Sequence, residues 1–243
     1  MRVIRIRVAG NTVEVRSKFL RSYLLCQDFA VDDIPIIYAE CSIDDYDREA
    51  VAYESEYHSK APSDPALEVT ALLRKVAEGL VDYDVLLMHG AVIAEANEAF
   101  LFVGKSGVGK TTHINKWLDH LANAFVINGD KPFIKFHGMD PPLACGSPWA
   151  GKERMYTNTA VPLKSIILLE RAEDNHIEQI PFIQAFPTLL QQTFRPDDEE
   201  KMRKTLHLMQ RLCPTVTFWR FQCNNFKDDC FDVVYNALVR GQR

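Results

Sequence analysis

Residues 104–111 read Gly-Lys-Ser-Gly-Val-Gly-Lys-Thr and fit the pattern G-x-x-x-x-G-K-[ST] at every fixed position. Glycines let the backbone bend so that successive N–H groups face a phosphate, and a helix beginning near Lys110 adds the positive end of its dipole. The Lys110 ammonium would reach the β- and γ-phosphates, and the Thr111 hydroxyl would ligate Mg²⁺. The pattern predicts a nucleotide-binding loop built from Gly104, Lys105, Ser106, Gly107, Val108, Gly109, Lys110, Thr111 and Thr112.

Chemistry on a bound phosphate calls for an acid near the end of a neighbouring strand. Asp130 follows the apolar run 124–127 and is the natural residue for this role. Its carboxylate could hold Mg²⁺ through water, or accept the proton of an attacking hydroxyl. Because Asn-Gly-Asp is also common turn chemistry, a purely structural role for Asp130 stays open.

Two further features could take part in the same chemistry. His89 lies in a break between two apolar segments, where a catalytic and a structural role are equally open. Residues 146–154, GSPWAGKER, include Lys152 and Arg154, which could bring positive charge onto a transferring phosphoryl group. The alternative for this segment is a solvated turn with a packed tryptophan. The predicted catalytic residues are thus Asp130, His89, Lys152 and Arg154, and the predicted metal ligands are Thr111 and Asp130.

The loop needs a strand before it and a helix after it, and the sequence predicts both. Residues 99–103 form a continuous apolar run of buried-strand length, and apolar residues recur at helical spacing over 114–121. Residues 132–136 and 138–151 are rich in proline and glycine and are predicted as turns. The mixed order of strands and helices from residue 80 onward predicts an α/β core. Other strands are predicted at 85–88, 91–94, 124–127, 165–170 and 216–221, and other helices at 69–80, 183–194, 197–212 and 226–240.

Residues 1–60 are predicted to form a small β-rich unit in front of a nucleotide-binding domain over 61–243. Apolar residues alternate on both sides of a turn at 9–12, which indicates a hairpin. Short strands are also predicted at 36–38 and 51–53. The acidic stretch 44–47 between them is interpreted as a solvated loop rather than a metal site.

The composition excludes several classes of protein. The 243 residues are 47% hydrophobic, and 28 Lys+Arg against 33 Asp+Glu give a net charge of −5, which argues against a nucleic-acid partner. The six cysteines form no CxxC pair and are predicted to be reduced thiols. No stretch has the length of a membrane span, and the N-terminus lacks the apolar run of a signal peptide. We therefore expect a cytoplasmic protein without a membrane partner, and leave open whether it forms a homo-oligomer.

Three stretches together resemble a known family: Met88-His89-Gly90-Ala91, the sequence GKSGVGKTT, and a following strand that ends in aspartate. They are similar to the catalytic domain of HPr kinase/phosphorylase, whose fold is shared with phosphoenolpyruvate carboxykinase. The resemblance covers roughly residues 80–180. Within it, the stretches GSPWAGKE and SIILLERAEDNHIEQI look more like HPr-kinase-like proteins than the housekeeping enzyme.

The resemblance implies an α/β fold with a P-loop kinase core and a mixed sheet, preceded here by the small β-rich unit. It implies ATP or GTP with Mg²⁺, Lys110 and Thr111 at the phosphate and metal positions, His89 as the active-site histidine, and Asp130 as one of two paired acids. The chain departs from the family at Gly129, where a second aspartate is usual. The family's glycine-rich phosphorylase signature also has no counterpart, so phosphorolysis is not expected.

The leading hypothesis is therefore an ATP-dependent phosphotransferase that acts on a hydroxyl, in a protein serine or a small molecule. The first alternative is a non-catalytic nucleotide-binding regulatory protein, which the glycine at 129 favours. The second is an enzyme of the carboxykinase type, which the short chain disfavours because it offers no extra domain for an oxaloacetate site.

Overall fold

An antiparallel hairpin opens the chain, as its alternating apolar residues predict. In this computed structural model, which describes residues 1–240, β1 (Arg2–Val8) pairs with β2 (Asn11–Ser17), and β3 (Ile37–Glu40) lies parallel to β2. Helix α1 (Leu20–Leu25) and a 3₁₀ turn (Gln27–Phe29) lie between β2 and β3. Two longer helices follow, α2 (Ile43–Tyr57) and α3 (Asp64–Val81).

Helix α2 corrects two predictions, because residues 51–53 are helical rather than a strand and the acidic stretch 44–47 forms its first turn. A capping box starts the helix, in which the side chains of Ser42 and Asp45 each bond the other's backbone N–H. The face turned to α3 is acidic: Asp45 pairs with Lys75 at 2.9 Å and Glu49 with Arg74 at 2.5 Å. A helix that buries carboxylates instead of an apolar stripe lacks the periodicity by which helices are predicted.

The buried carboxylate of Glu68 on α3 ties the N-terminal segment together. Its oxygens accept hydrogen bonds from the backbone N–H of Lys18 at 2.6 Å and of Phe19 at 3.2 Å. They also accept from the hydroxyls of Ser22 at 2.6 Å and Tyr46 at 3.0 Å. These four bonds join three segments of the chain to one side chain, so this residue holds α1 and α2 on α3.

Nine strands of the described chain form one mixed sheet, and β10 joins its two halves. The first residues of β10 pair antiparallel with β9, and from Ser165 onward β10 runs parallel to both β6 and β12. The antiparallel strands β4 and β8 continue one half, β5 and β7 lie beyond β6, and β11 lies beyond β12. The strands are β4 (Val85–Leu87), β5 (Gly90–Glu95), β6 (Glu98–Val103), β7 (Phe125–Asn128), β8 (Phe133–Lys135), β9 (Leu143–Cys145), β10 (Ala160–Arg171), β11 (His176–Ile180) and β12 (Thr217–Cys223).

Helices cover both faces of this sheet, which explains the unbroken apolar run of β6. Phe100 and Phe102 pack in a cluster with Trp117 on one face, and Leu101 and Val103 belong to a cluster on the other. Helices α4 (Lys110–His120) and α7 (Cys230–Tyr235, extended by a π-helical turn, Asn236–Arg240) lie on the first face, and α5 (Phe182–Gln192) and α6 (Glu199–Gln210) on the second. The mixed α/β architecture that the sequence predicts is confirmed.

The segments predicted as turns at 132–136 and 138–151 contain β8 and β9. Each has only three residues, and they pair with one another, with β4 and with the start of β10. The predicted helix at 226–240 is helical only from Cys230, and residues 241–243 of the predicted second domain lie outside the described residues. None of the helices within 1–240 combines the length and apolar character needed to cross a bilayer.

The domain boundary predicted near residue 60 stays a prediction. The apolar core runs across this position. Ile6 and Val13 of the hairpin, Leu72 of α3, and Val85 and Phe133 of the main sheet belong to one buried cluster. The N-terminal strands and α3 therefore pack as a layer against the end of the nine-stranded sheet.

His113 on α4 is fully buried and neutral. The Trp117 indole N–H donates to the Nε2 of His113 at 3.1 Å, and the centroid of the His113 ring lies 4.6 Å from that of Phe102. Burial lowers the pKa of His113 from 6.5 to about 3, because a charged imidazolium would be desolvated there.

This burial predicts a pH dependence of stability. The unfolded chain binds a proton at His113 below pH 6.5 and the folded chain does not, so the free energy of unfolding falls by up to about 1.4 kcal/mol per pH unit as the pH is lowered from 6.5 towards 3. His113→Gln keeps an acceptor for Trp117 but cannot be protonated, so its unfolding free energy should fall less steeply. Denaturant titrations between about pH 4.5 and 7.5 measure the two slopes. The exposed His137→Gln variant is the control, and equal slopes for His113→Gln and the parent would contradict the assignment.

Candidate functional site

The loop 104–109 connects the carboxyl end of β6 to α4 and depends on glycines. Gly104, Gly107 and Gly109 have φ angles of +153°, +75° and +111°, in a region that other residues rarely adopt. A Cβ on Gly104 would also lie 2.9 Å from the carbonyl oxygen of Leu169 on the neighbouring strand β10. The strand–loop–helix arrangement predicted for the motif is therefore present.

Lys110 lies across this loop at the start of α4. Its Nζ donates to the carbonyl oxygen of Gly104 at 2.9 Å, and burial lowers its pKa while the charge of Asp130 opposes that shift. The first N–H groups of any helix have no acceptor within the helix, and they carry the positive end of its dipole. An ammonium and free helical N–H groups around a glycine loop fit a chain of phosphates.

Asp130 is positioned by the side chain of Asn128, the last residue of β7. The Asn128 Oδ1 accepts from the N–H of Asp130 at 2.9 Å and of Lys131 at 2.7 Å. Its Nδ2 donates to the carbonyl oxygen and the hydroxyl of Ser147, at 3.1 and 3.0 Å. Asn128 and Ser147 are fully buried. This segment is thus an Asx turn, as its composition indicates, and the turn presents the Asp130 carboxylate.

His89 and Asp130, expected to act together, are in contact. His89 Nε2 lies 3.2 Å from Asp130 Oδ1, and Lys131 Nζ lies 3.6 Å from the same oxygen. Burial raises the pKa of Asp130. The hydrogen bond from His89 and the charges of Lys131 and Lys110 lower this pKa by more than burial raises it, so the net shift is downward. Asp130 is therefore an ionised carboxylate at neutral pH, with about a third of its side chain exposed.

Gly129 is closely covered by the segment after Ser147. A Cβ on Gly129 would lie 3.3 Å from the carbonyl oxygen of Ala150 and 3.4 Å from that of Met155, so a second aspartate would need the segment to shift. Thr111, Gly129 and Glu153 line one small cavity. A carboxylate from another part of the chain, Glu153, thus shares a cavity with the predicted metal ligand Thr111.

Three adjoining cavities form what we call the central cleft. The first, about 570 Å³, is lined by loop residues 104–108, the end of β10 and Gln192. The second, about 190 Å³, shares Gln192 with the first and contains His89 and Lys131. The third, about 710 Å³, shares Lys131 and contains Asp130. The cleft therefore runs from the glycine loop 104–109, past the His89–Asp130 pair, to the N-terminal helices.

The remaining predicted residues do not all line this cleft. Lys152 and Arg154 line the third cavity with Asp130, and no residue of the loop 104–112 lines that cavity. Thr112 is exposed on α4. Within residues 1–240, no three His, Cys, Asp or Glu side chains form a group that could hold a metal ion. Metal binding by Thr111 and Asp130 therefore stays a prediction.

Three residues in or behind the cleft were not among those predicted from the sequence. Lys131 follows Asp130 directly, so its position beside the acid could have been predicted from the stretch NGDK. Arg171, at the end of β10, donates to the carbonyl oxygen of Gly107 and lines the first cavity. Asn128 was interpreted only as a turn residue, because its bonds to Ser147 join positions that are 19 apart in sequence.

No family model matches the chain, and neither does any curated protein. Among solved structures, the chain is similar to the Hpr(Ser) kinase/phosphatase from Coxiella burnetii, with a TM-score of 0.39 and 12% sequence identity. The match covers 65% of this chain and 90% of that one. This is a distant likeness and does not define the family of this chain.

The Asx turn predicts a loss of stability when its side chain is removed. Asn128→Ala leaves the N–H groups of Asp130 and Lys131 and the carbonyl oxygen of Ser147 without their partner, so we expect the free energy of unfolding to fall by about 2–4 kcal/mol. Denaturant unfolding measures the change. Asn123→Ala, on the exposed turn before β7, is the control, and a loss of less than about 1 kcal/mol in Asn128→Ala would contradict the role assigned to this side chain.

Proposed function

We propose that this chain is a phosphotransferase that moves the γ-phosphoryl group of ATP or GTP to a hydroxyl group. The observation that carries the proposal is the order of groups along the central cleft: the glycine loop 104–109 with Lys110 at one end, the ionised carboxylate of Asp130 in the middle, and an open cavity beyond it. The acceptor hydroxyl would belong to a serine of a peptide or protein, or to a small molecule.

The phosphates of the nucleotide would be bound by the loop 104–109, the first N–H groups of α4 and the Lys110 ammonium. Arg171 adds a second cation at the rim of the first cavity. Magnesium bound with the nucleotide would neutralise phosphate charge, and the Thr111 hydroxyl and the Glu153 carboxylate, which line one cavity, are oxygen donors suited to it.

Asp130 would accept the proton of the acceptor hydroxyl. As that proton moves to the carboxylate, the hydroxyl oxygen forms a bond to the γ-phosphorus and the bond to the β-phosphate oxygen breaks, releasing the nucleoside diphosphate. His89 orients the carboxylate through its 3.2 Å contact. Lys152 and Arg154, on the wall of the third cavity, lie on the acceptor's side of Asp130.

The second candidate function is a nucleotide-binding regulatory protein without catalysis. Gly129 favours it, because the covering carbonyl oxygens leave little space for a second acid beside Asp130. The two functions share nucleotide binding and differ in phosphoryl transfer.

Transfer of radiolabelled phosphate from γ-labelled ATP to an array of serine peptides and small hydroxylated molecules tests the proposal. Asp130→Asn should reduce transfer by about 100-fold or more, because the amide cannot accept the proton, and should leave nucleotide affinity within about threefold of the parent. Asp140→Asn, on an exposed loop, is the matched control. Full transfer by Asp130→Asn would remove Asp130 from the role of base, and tight nucleotide binding without transfer to any acceptor would favour the regulatory protein.

A further inference from the structure

The third cavity of the central cleft has walls from both parts of the chain. Helices α1 and α3 supply Leu24, Val69 and Leu73, and the segment after Ser147 supplies Trp149 and Lys152. Lys131 lines both the third and the second cavity, and Asp130 lines the third and contacts His89 of the second. An acceptor that reaches Asp130 from the side opposite the nucleotide would therefore contact the N-terminal helices.

Much of this cavity wall is apolar. Leu24, Leu25, Val69, Leu73 and Trp149 line it, and Leu24 keeps 45% of its surface exposed. The Trp149 indole N–H donates to the backbone carbonyl oxygen of Val69 at 2.9 Å, so its polar atom is satisfied and the ring orientation is fixed. A wall of this kind binds an apolar side chain in preference to water.

The charged residues of the same cavity are mostly cationic. Arg21, Lys131, Lys152 and Arg154 line it, and Asp130 is the one acid among its lining residues. Within residues 1–240, Arg21, Lys152 and Arg154 form no ion pair with a carboxylate, although the chain as a whole has a net charge of −5. A local group of unpaired cations in an acidic chain is complementary to a ligand with negative charge.

The wall formed by α1 is held in place before any ligand binds. Glu68 fixes the backbone at Lys18 and Phe19 and the hydroxyl of Ser22, one residue from Arg21 and two from Leu24. A preformed wall reduces the ordering cost of binding. The short helix α1 thus presents Arg21 and the exposed Leu24 to the cavity from a fixed position.

We infer, on the basis of the proposed function, that the acceptor is a peptide segment in which carboxylates and a large apolar side chain lie next to the phosphorylated serine or threonine. The apolar side chain lies against Leu24, Leu73 and Trp149, the carboxylates pair with Arg21 and Arg154, and the hydroxyl reaches Asp130. The cavity of about 710 Å³ lies within the size range of pockets that enclose bound ligands.

Fluorescence anisotropy with three labelled synthetic peptides tests this inference without relying on turnover. Each peptide has one serine and one leucine, and the serine is flanked by glutamates, glutamines or lysines. We expect the glutamate peptide to bind at least about tenfold more tightly than the glutamine peptide, and the lysine peptide to bind most weakly. Equal dissociation constants for the three peptides, or no binding of the glutamate peptide, would overturn the inference.

Variants of exposed residues locate the binding. Arg21→Gln should reduce the preference for the glutamate peptide over the glutamine peptide to less than about threefold. Leu24→Ala should weaken the binding of both peptides by about threefold or more. Arg195→Gln, an exposed arginine that does not line the cavity, is the matched control. An unchanged preference in Arg21→Gln would overturn the placement of the carboxylates.

Phosphoryl transfer to the same peptides separates this inference from the proposed function. Selective binding of the glutamate peptide without transfer supports the binding site and contradicts the transferase. Transfer with equal kcat/KM for all three peptides supports the transferase and contradicts the acidic acceptor. The transferase function and the acidic acceptor are both supported if the kcat/KM for the glutamate peptide is at least about tenfold higher than that for the glutamine peptide, mainly through a lower KM.

Discussion

The hydrogen bonds of one buried amide, the side chain of Asn128, determine much of the central cleft. Its oxygen accepts the N–H groups of Asp130 and Lys131, and its nitrogen donates to Ser147 at the start of the segment that carries Trp149, Lys152 and Arg154. The backbone carbonyl oxygen of Asp130 in turn accepts the N–H of Gly90, next to His89. An acid, its histidine partner and the wall of the third cavity thus depend on a single side chain that water cannot reach.

The N-terminal strands and helices complete this arrangement instead of standing apart from it. Their core includes Val85 of β4, Phe133 of β8 and Cys145 of β9, so the layer is packed on the sheet that ends at the cleft. The hydrogen bond from Ser22 to Glu68 then holds α1 on this layer. In the proposed function, the sheet binds the nucleotide, and the N-terminal helices distinguish between acceptors.

The sequence predicted best what depends on local pattern. The glycines of the loop 104–109 and the apolar run of β6 are both consequences of neighbouring backbone geometry, and both were found where expected. Helix α2 was missed because its buried face consists of Asp45 and Glu49, whose partners Lys75 and Arg74 lie on another helix. A pattern of apolar residues cannot report a helix that is held by ion pairs.

Long-range contacts explain the remaining differences. The strands β8 and β9 have three residues each and exist because they pair with one another and with strands far away in sequence. The resemblance to a family indicated His89 and Asp130 as site residues, but their contact, and the position of Lys152 and Arg154 in the third cavity, are visible only in the fold. Residue types suggested the chemistry, and the packing of the two layers determined which wall each residue lines.

In the proposed function, the loop 104–109 and Lys110 bind the phosphates of a nucleotide. Isothermal titration calorimetry with MgATP and MgGTP measures this binding on the parent chain, on Lys110→Met, and on Lys116→Met as a control on the same helix. We predict saturable binding to the parent, affinity at least about tenfold weaker in Lys110→Met because a charge-assisted contact to phosphate is lost, and affinity within about twofold of the parent in Lys116→Met. No binding to the parent, or equal affinity in Lys110→Met, would show that this loop is not the phosphate site.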